Sequence, residues 1–196
     1  GTACVHGHAA GRVMGVALHG SELGARRELR WTLGLNRWGA RPPVTRLFAV
    51  VSRLGDGPAW YALMALLPLL DGMRGAAASL HLAVTGLAAL ILYRALKRLT
   101  RRPRPCACHR AIVAHVPPLD EFSFPSGHTL HAVAFTAVAC AWYAPLALLL
   151  VPYALLVAAS RVVLGLHYPS DVLAAIAIGG ALATCSILLA GAVGLR

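Results

Sequence analysis

The sequence predicts an all-α fold: a polytopic membrane helix bundle of about five transmembrane helices, preceded by an N-terminal interfacial amphipathic helix. Three observations carry that expectation. Of 196 residues, 58% are hydrophobic and 13% charged, with a mean hydropathy of +0.68, whereas soluble domains average near half apolar with about a quarter charged. Residues 75–93, 127–160 and 172–195 contain no Asp, Glu, Lys or Arg. The charge that remains is one-sided, 18 Lys plus Arg against 7 Asp plus Glu, a formal +11 in which Lys97 is the single lysine. A disordered tail and an ordinary water-soluble domain are excluded. The balance suits an anionic partner, whether lipid headgroup, phosphorylated substrate or nucleic acid.

Taken in order, residues 1–43 are not expected to span. Their longest strong apolar run, residues 13–18, is too short for a crossing and lacks the cleavage pattern of a signal peptide. Residues 21–38 instead alternate Leu23, Leu29, Trp31, Leu33, Leu35 and Trp38 with Arg26, Arg27, Arg30 and Arg37, the pattern of a helix lying in the interface, with Ser21 as its N-cap. Arg41-Pro42-Pro43 ends it, and residues 44–196 form the membrane-embedded domain.

At a rise of about 1.5 Å per residue, roughly 20 residues cross a bilayer core of about 30 Å. The uncharged stretches 75–93 and 172–195 therefore read as one span each. The middle one is too long for one crossing, and Ala144-Pro145 divides it into about 127–143 and 146–164, with Pro152 kinking the second. A fifth span over 57–70 is short and borrows residues 48–52, placing Arg53 and Asp56 near the interface, three apart and able to pair. The cysteines are scattered: Cys140 and Cys185 read as small hydrophobes in spans and Cys106 and Cys108 as loop thiols, because no second ligand pair stands at zinc spacing.

Three polar clusters carry the chemistry. Arg94, Lys97, Arg98, Arg101, Arg102 and Arg104 follow the 75–93 span, stiffened by Pro103 and Pro105; alone, such a run contacts anionic lipid heads. Phe124-Pro125-Ser126-Gly127-His128 stands where a loop enters a helix, and the unpaired amides and positive dipole of a helix N-terminus favour an anion there. Ser160-Arg161, His167 and Asp171 form the third, in which an Asp four residues after a His can hold the ring and fix its tautomer. Counting crossings brings all three to one face of the bundle. Together they supply cationic donors, an anion-binding turn and two histidines, the requirements for displacement at phosphorus.

On these residues the sequence resembles the type-2 phosphatidic acid phosphatase superfamily of lipid phosphate phosphatases, whose fold is shared with vanadium haloperoxidases. The match is to Lys97 through Arg104-Pro105 with six residues between, to Pro125-Ser126-Gly127-His128, and to Ser160-Arg161 with His167 and Asp171. It covers about residues 45–195 and departs in lacking a first span that many bacterial members carry. The resemblance implies that His167 attacks phosphorus to form a phosphohistidine, that Asp171 orients it, and that His128 protonates the leaving oxygen and then activates water. Lys97, Arg104 and Arg161, with the Ser126 hydroxyl and the Gly127 amide, would hold the nonbridging oxygens. No metal or other cofactor is implied.

The expected activity is hydrolysis of a lipid phosphate or diphosphate, either a polyprenyl diphosphate such as undecaprenyl diphosphate or a glycerophospholipid phosphate such as phosphatidylglycerophosphate or phosphatidate. The membrane is the other partner, the bacterial cytoplasmic membrane the expected location, and nucleic acid is not expected to bind. Competing readings are phosphoryl transfer to another lipid or vanadate-dependent oxidation on the same residues, a metal site built from His128, His131, His167 and Asp171, and a non-catalytic protein that binds anionic lipid. His131 reads equally as a packing histidine, Asp120 and Glu121 as a solvated loop or as groups that position a water or pair with a loop arginine, and Tyr168 and Trp142 as interface aromatics. Sorting the bases by the five-span count leaves only Arg74 and Arg196 on the far side, so the positive-inside rule points the catalytic face to the cytoplasm; several of those cations are catalytic and carry no independent topology signal, and the expectation is an outward or undetermined site.

Overall fold

The computed structural model describes residues 17–195, with side chains from residue 23 onward. Cys4 and most of the apolar run at residues 13–18 lie outside the described residues. The chain forms α1 (Ala17–Gly39), α2 (Pro42–Gly55), α3 (Pro58–Thr100), a one-turn α4 (Pro105–Cys108), α5 (Gly127–Trp142), α6 (Ala147–Val163) and α7 (Pro169–Ala192). Four of them start on proline, Pro42, Pro58, Pro105 and Pro169. The first helical position needs no N–H, and the fixed φ of proline is already helical there.

The first expected span is not one crossing. Gly57, at φ 146°, separates α2 from α3, and the Trp60 indole nitrogen donates to the Gly55 carbonyl at 3.1 Å across the break. The α3 helix is itself two arms, residues 58–70 and 73–100, folded back on each other at Asp71 (φ −136°) and Gly72 (φ 51°). Pro68 lacks the N–H that would bond the Met64 carbonyl, and Ser79 on the second arm donates to that carbonyl at 2.7 Å. In an apolar surround an orphaned carbonyl costs about several kcal/mol, so this hydroxyl makes the proline tolerable. Gly75 permits the approach, since a Cβ there would collide with the Leu67 carbonyl. At the hairpin tip Tyr143 donates to Asp71 Oδ2 at 2.7 Å, and Arg74 to the Trp142 carbonyl at 3.2 Å.

Among the described residues, three helical segments are long and apolar enough to cross a membrane: Pro58–Thr100, Ala144–Val163 and Pro169–Ala192. The chain is an integral membrane protein with an all-α fold. The break expected at Ala144-Pro145 is present as a 3-10 turn, Ala144–Leu146. The α5 helix, 16 residues long, is the central post of the bundle, packed by α3, α6 and α7. Its inward residues Ala132, Ala134, Phe135 and Val138 join Trp60, Leu82 and Val157 in the core, and Leu130 packs with Ala89 and Ala175. Within the core Trp142 donates to His81 Nδ1 at 3.0 Å, and His81 Nε2 meets Ser186 Oγ at 2.8 Å. Leu69, Leu70, Met73, Leu148 and Leu188 face outward, as lipid-facing residues do.

The α1 helix begins before Ser21, which therefore lies within the helix and is not its N-cap. It lies against α6 and α7. Asn36 is its anchor, donating to the carbonyls of Val113 at 2.9 Å and Val163 at 3.1 Å and accepting the Val113 N–H at 2.9 Å. Trp31 and Arg26, Arg27 and Arg30 stay exposed. Cys106 is a free thiol whereas Cys108 is disulfide-bonded, so the two are not a matched pair of loop thiols.

Candidate active site

The long loop after α3 is pinned at both ends before it reaches α5. Arg101, in the left-handed region at φ 47°, stops α3 with its N–H on the Lys97 carbonyl. The two ends of the loop then pair: Ser123 N–H donates to the Arg102 carbonyl at 2.8 Å, beside a bridge between Pro103 and Phe122. This zipper brings Asp120 over Lys97 and Arg104. Lys97 Nζ donates to both Asp120 carboxylate oxygens, at 2.7 and 2.6 Å, and to the Phe122 carbonyl at 3.0 Å. Arg104 donates through Nη2 to Asp120 Oδ1 at 2.7 Å and through Nε to the Asp120 carbonyl at 2.8 Å. Burial would raise the Asp120 carboxyl, but the hydrogen bonds and charges of Lys97 and Arg104 outweigh it and hold the carboxyl below its ordinary value. Lys97 and Arg104 are only 6% and 3% exposed, so the loop that read as solvated supplies the counter-charge two buried cations need.

A tight turn presents His167. Gly165, at φ 77°, faces the Val113 carbonyl at 2.5 Å from where a Cβ would stand, a conformation and a space that favour glycine. Leu166 and His167 both return their N–H groups to the Arg161 carbonyl at 3.1 Å. Arg104 Nη1 donates to the Leu166 carbonyl at 2.8 Å and lies 3.2 Å from His167 Nε2. A guanidinium has no acceptor, so this contact requires Nε2 to offer its lone pair and assigns the ring proton to Nδ1. Nδ1 faces Asp171 Oδ2 at 3.6 Å and makes no hydrogen bond at that distance. Burial first, then the charges of Arg161, Arg104 and Lys97, hold protonation of His167 well below its ordinary pH range. The ring is therefore neutral, with a lone pair directed among cations.

Asp171 is fully buried and serves two structures. Its Oδ2 accepts the Tyr168 N–H at 2.8 Å, capping α7, and its Oδ1 accepts from Arg102 Nη1 at 2.7 Å. Arg102 in turn pairs with Glu28 of α1 at 2.9 Å, stacks 4.2 Å over the Tyr168 ring, and bonds Ser170 at 2.6 Å. Glu28 Oε1 accepts the Ser170 N–H at 2.8 Å. Arg161 is held by the Ser52 hydroxyl of α2, while its Nε is buried with no hydrogen-bond partner.

At the start of α5, His128 Nε2 lies 3.2 Å from Asp56 Oδ1, so Asp56 faces across to α5 and makes no ion pair with Arg53, its expected partner. Ser126 is fully buried, its Oγ 3.0 Å from Thr129 Oγ1, and its N–H reaches the Asp171 carbonyl at 3.3 Å. It therefore joins the starts of α5 and α7 behind the cleft, whereas Gly127 and His128 line it. Both His131 ring nitrogens lie on backbone carbonyls, Gly127 at 3.0 Å and Gly86 at 3.1 Å. Among the described residues, no three His, Cys, Asp or Glu side chains converge on a metal-sized site.

These groups surround a cleft of about 760 Å³. Its head carries Lys97, Arg104, Arg161, His128 and His167; its wall is apolar, built by Trp60, Met64, Leu87, Leu90 and Phe135 between α3 and α5. A second, smaller opening of about 440 Å³ lies between α2 and the loop and shares Asp56, Leu119, His128 and Arg161 with the first. Of the sequence-expected site residues, Lys97, Arg104, Gly127, His128, Arg161 and His167 face one space, and Ser126 and Asp171 stand behind it. Arg102, Glu28, Ser52 and Asp56 were assigned no such place by the sequence, whereas pairing with a loop arginine was one of the two readings of Asp120, and Arg104 is that arginine. For Arg102 and Asp120 the available signal was position inside the basic run and the loop that follows it. For the other three no local signal exists.

Over 85 residues the chain is 44% identical to the decaprenylphosphoryl-5-phosphoribose phosphatase of Mycobacterium tuberculosis, 43% of this chain and 45% of that one. Over 99 residues it is 31% identical to the undecaprenyl-diphosphatase BcrC of Bacillus subtilis, 50% and 51% of the two chains. The matched segments thus span about half the length of these curated relatives. In fold, it resembles the crystal structure of Aquifex aeolicus LpxE, with a TM-score of 0.69 at 24% identity over 81% of this chain and 93% of that one. The first transmembrane PAP2 type phosphatidylglycerolphosphate phosphatase from Bacillus subtilis gives a TM-score of 0.64 at 21% identity, covering 80% and 83%. Residues 78–193 match the PAP2 superfamily, and with all three clusters inside that segment the chain belongs to it.

Proposed function

We propose that this protein is an integral membrane phosphatase that hydrolyses a phosphomonoester or diphosphate carried by a lipid, through a phosphohistidine on His167. The observation that carries the reading is the neutral His167 ring, its Nε2 lone pair 3.2 Å from Arg104, at the head of a cleft whose wall is apolar. Phosphate oxygens would take donors from Lys97, Arg104 and the unpartnered Arg161 Nε, sharing the first two with Asp120 or displacing it. Nε2 then bonds phosphorus as the bond to the leaving oxygen breaks, and that oxygen takes a proton from His128. The ring gains positive charge, which the Asp171 carboxylate opposite Nδ1 stabilises as the gap between them closes. In the second half His128 takes a proton from water, the water oxygen bonds phosphorus, and the bond to Nε2 breaks. The Gly127 amide at the positive end of α5 is a further donor for the charge that develops, and Ser126 supports that end through Thr129 and Asp171. No step needs a metal.

A lipid chain suits the apolar wall, and residues 44–196 are the part that would hold it. Polyprenyl phosphates and diphosphates are favoured over glycerophospholipid phosphates, because the two curated relatives are named for polyprenyl-linked substrates. The bacterial cytoplasmic membrane is the location this substrate class implies. The test is phosphate release by purified protein across polyprenyl diphosphates, polyprenyl phosphates, phosphatidate, phosphatidylglycerophosphate and soluble phosphoesters, with His167→Ala as control. Release from lipid phosphates that the variant abolishes is expected. Equal release by the variant would overturn the mechanism, and a preference for soluble esters would overturn the substrate class.

A further inference from the structure

The proton donor of the proposed reaction stands in an unfavourable place for a proton. His128 must begin the reaction as an imidazolium, yet it is largely buried and faces the charges of Arg161 and Lys97 and the rings of His167 and His131 across the cleft. Asp120 engages Lys97 and Arg104, which mutes two of the cations and leaves Arg161, whose nearest partner is a neutral hydroxyl. The carboxylate placed to favour the charged ring is Asp56, with Oδ1 3.2 Å from His128 Nε2. It reaches that point because Gly57 turns the chain between α2 and α3, and it lines both openings of the site. No motif residue lies within that junction, and it falls outside the segment matched by the family, residues 78–193.

We propose that Asp56 is a positioning residue for His128: its carboxylate aims the ring into the cleft and stabilises the protonated form that gives its proton to the leaving oxygen. The inference rests on the phosphatase reading above. Proton bookkeeping is unchanged, since Asp56 neither gives nor takes a proton in either half. One imidazolium proton, that of Nδ1, passes to the leaving oxygen as the P–O bond breaks while the other stays on Nε2 facing Asp56, and His128 recovers one from water in the second half. Removing the carboxylate therefore harms the step in which a poor leaving group needs a proton and spares the same step when the leaving group departs as a stable anion.

The experiment compares first-turnover release of the alcohol from decyl phosphate with first-turnover release of nitrophenolate from p-nitrophenyl phosphate, by rapid mixing in detergent. Asp56→Asn is expected to slow the decyl reaction by about tenfold to a hundredfold, within the range general acid catalysis supplies, with little change for the nitrophenyl ester. Asp56→Glu should restore most of the decyl rate. Because Asp56 acts through His128, adding Asp56→Asn to His128→Asn should slow the decyl reaction no further. Equal slowing of both substrates by Asp56→Asn, or additive losses in the double variant, would overturn the proposal while leaving the phosphatase reading intact. Absence of phosphate release by the wild-type protein from either ester or from lipid phosphates would instead bring down the reading on which it rests.

Discussion

Residues 78–193 and the N-terminal third meet at the same cleft with different kinds of side chain. The C-terminal segment carries the side chains that the proposed chemistry brings into contact with phosphorus or its oxygens: Lys97, Arg104, His128, Arg161 and His167. The N-terminal third carries groups that hold them. Glu28 reaches Asp171 through Arg102, Asn36 ties the turn around Gly165 to the loop, Ser52 holds Arg161, and Asp56 faces His128. The site therefore has a reacting half and a supporting half. Reaction at phosphorus accepts few side chains at each place, whereas support accepts any group of suitable reach and polarity.

Substitutions separate the two halves. The largest effect belongs to His167→Ala, which should cut phosphate release by more than about a thousandfold, as loss of a nucleophile does; a smaller loss would move the reacting atom elsewhere. Arg161→Ala should cost about a hundredfold in kcat, the usual price of one transition-state donor. Its supporting partner gives the direct contrast, since Ser52→Ala leaves the guanidinium in place and should cost about tenfold or less, the scale of one net hydrogen bond. Equal kcat losses for the two would erase the distinction between the halves.

Glu28→Gln and Arg102→Ala probe the reach of α1 into the site. Each should lower kcat by a few-fold to about thirtyfold, and the double variant should be little worse than Arg102→Ala alone, because the coupling of contacting charged groups is about 0.5–3 kcal/mol. Additive losses would show that Glu28 acts independently of Arg102.

The smallest effect is on stability. Protonation of His167 is held well below its ordinary range in the folded protein, while in the unfolded chain the ring titrates near pH 6.5. Below that pH the unfolded chain binds more protons than the folded one, so the contribution of His167 is complete above about pH 6.5 and is lost as pH falls toward the folded value. Asp120 is also depressed when folded, but its contribution is lost only at carboxylate pH, below about 4. Thermal unfolding in detergent at pH 7.5 and 5.5 should therefore show a larger drop in Tm for the wild type than for His167→Gln. An equal drop would mean that the folded ring accepts a proton freely.

Much of the fold was legible because hydrophobic length and proline placement act locally. Uncharged runs marked the long helices, and Ala144-Pro145 marked the turn between α5 and α6. The hairpin inside α3 was not legible as such. Asp71 and Gly72 advertise a break, but Ser79 becoming the partner of the carbonyl orphaned by Pro68 depends on the two arms already lying together. The first span failed as one helix for a similar reason: Gly57 and Pro58 allow either a kink or a break, and packing of Trp60 beneath Gly55 selects the break.

The same division runs through the site. By itself the sequence determined that cations, an anion-binding turn, and a histidine followed four residues later by a carboxylate gather on one membrane face, because helix length and alternation of direction fix which ends of the chain meet. Tertiary structure decided the counter-charges. Lys97 and Arg104 share Asp120, Arg161 rests on Ser52, Asp171 answers to Glu28 through Arg102, and His128 faces Asp56. A buried charge must be met by whichever group the fold brings within about 3 Å, and neither spacing nor composition names that group in advance.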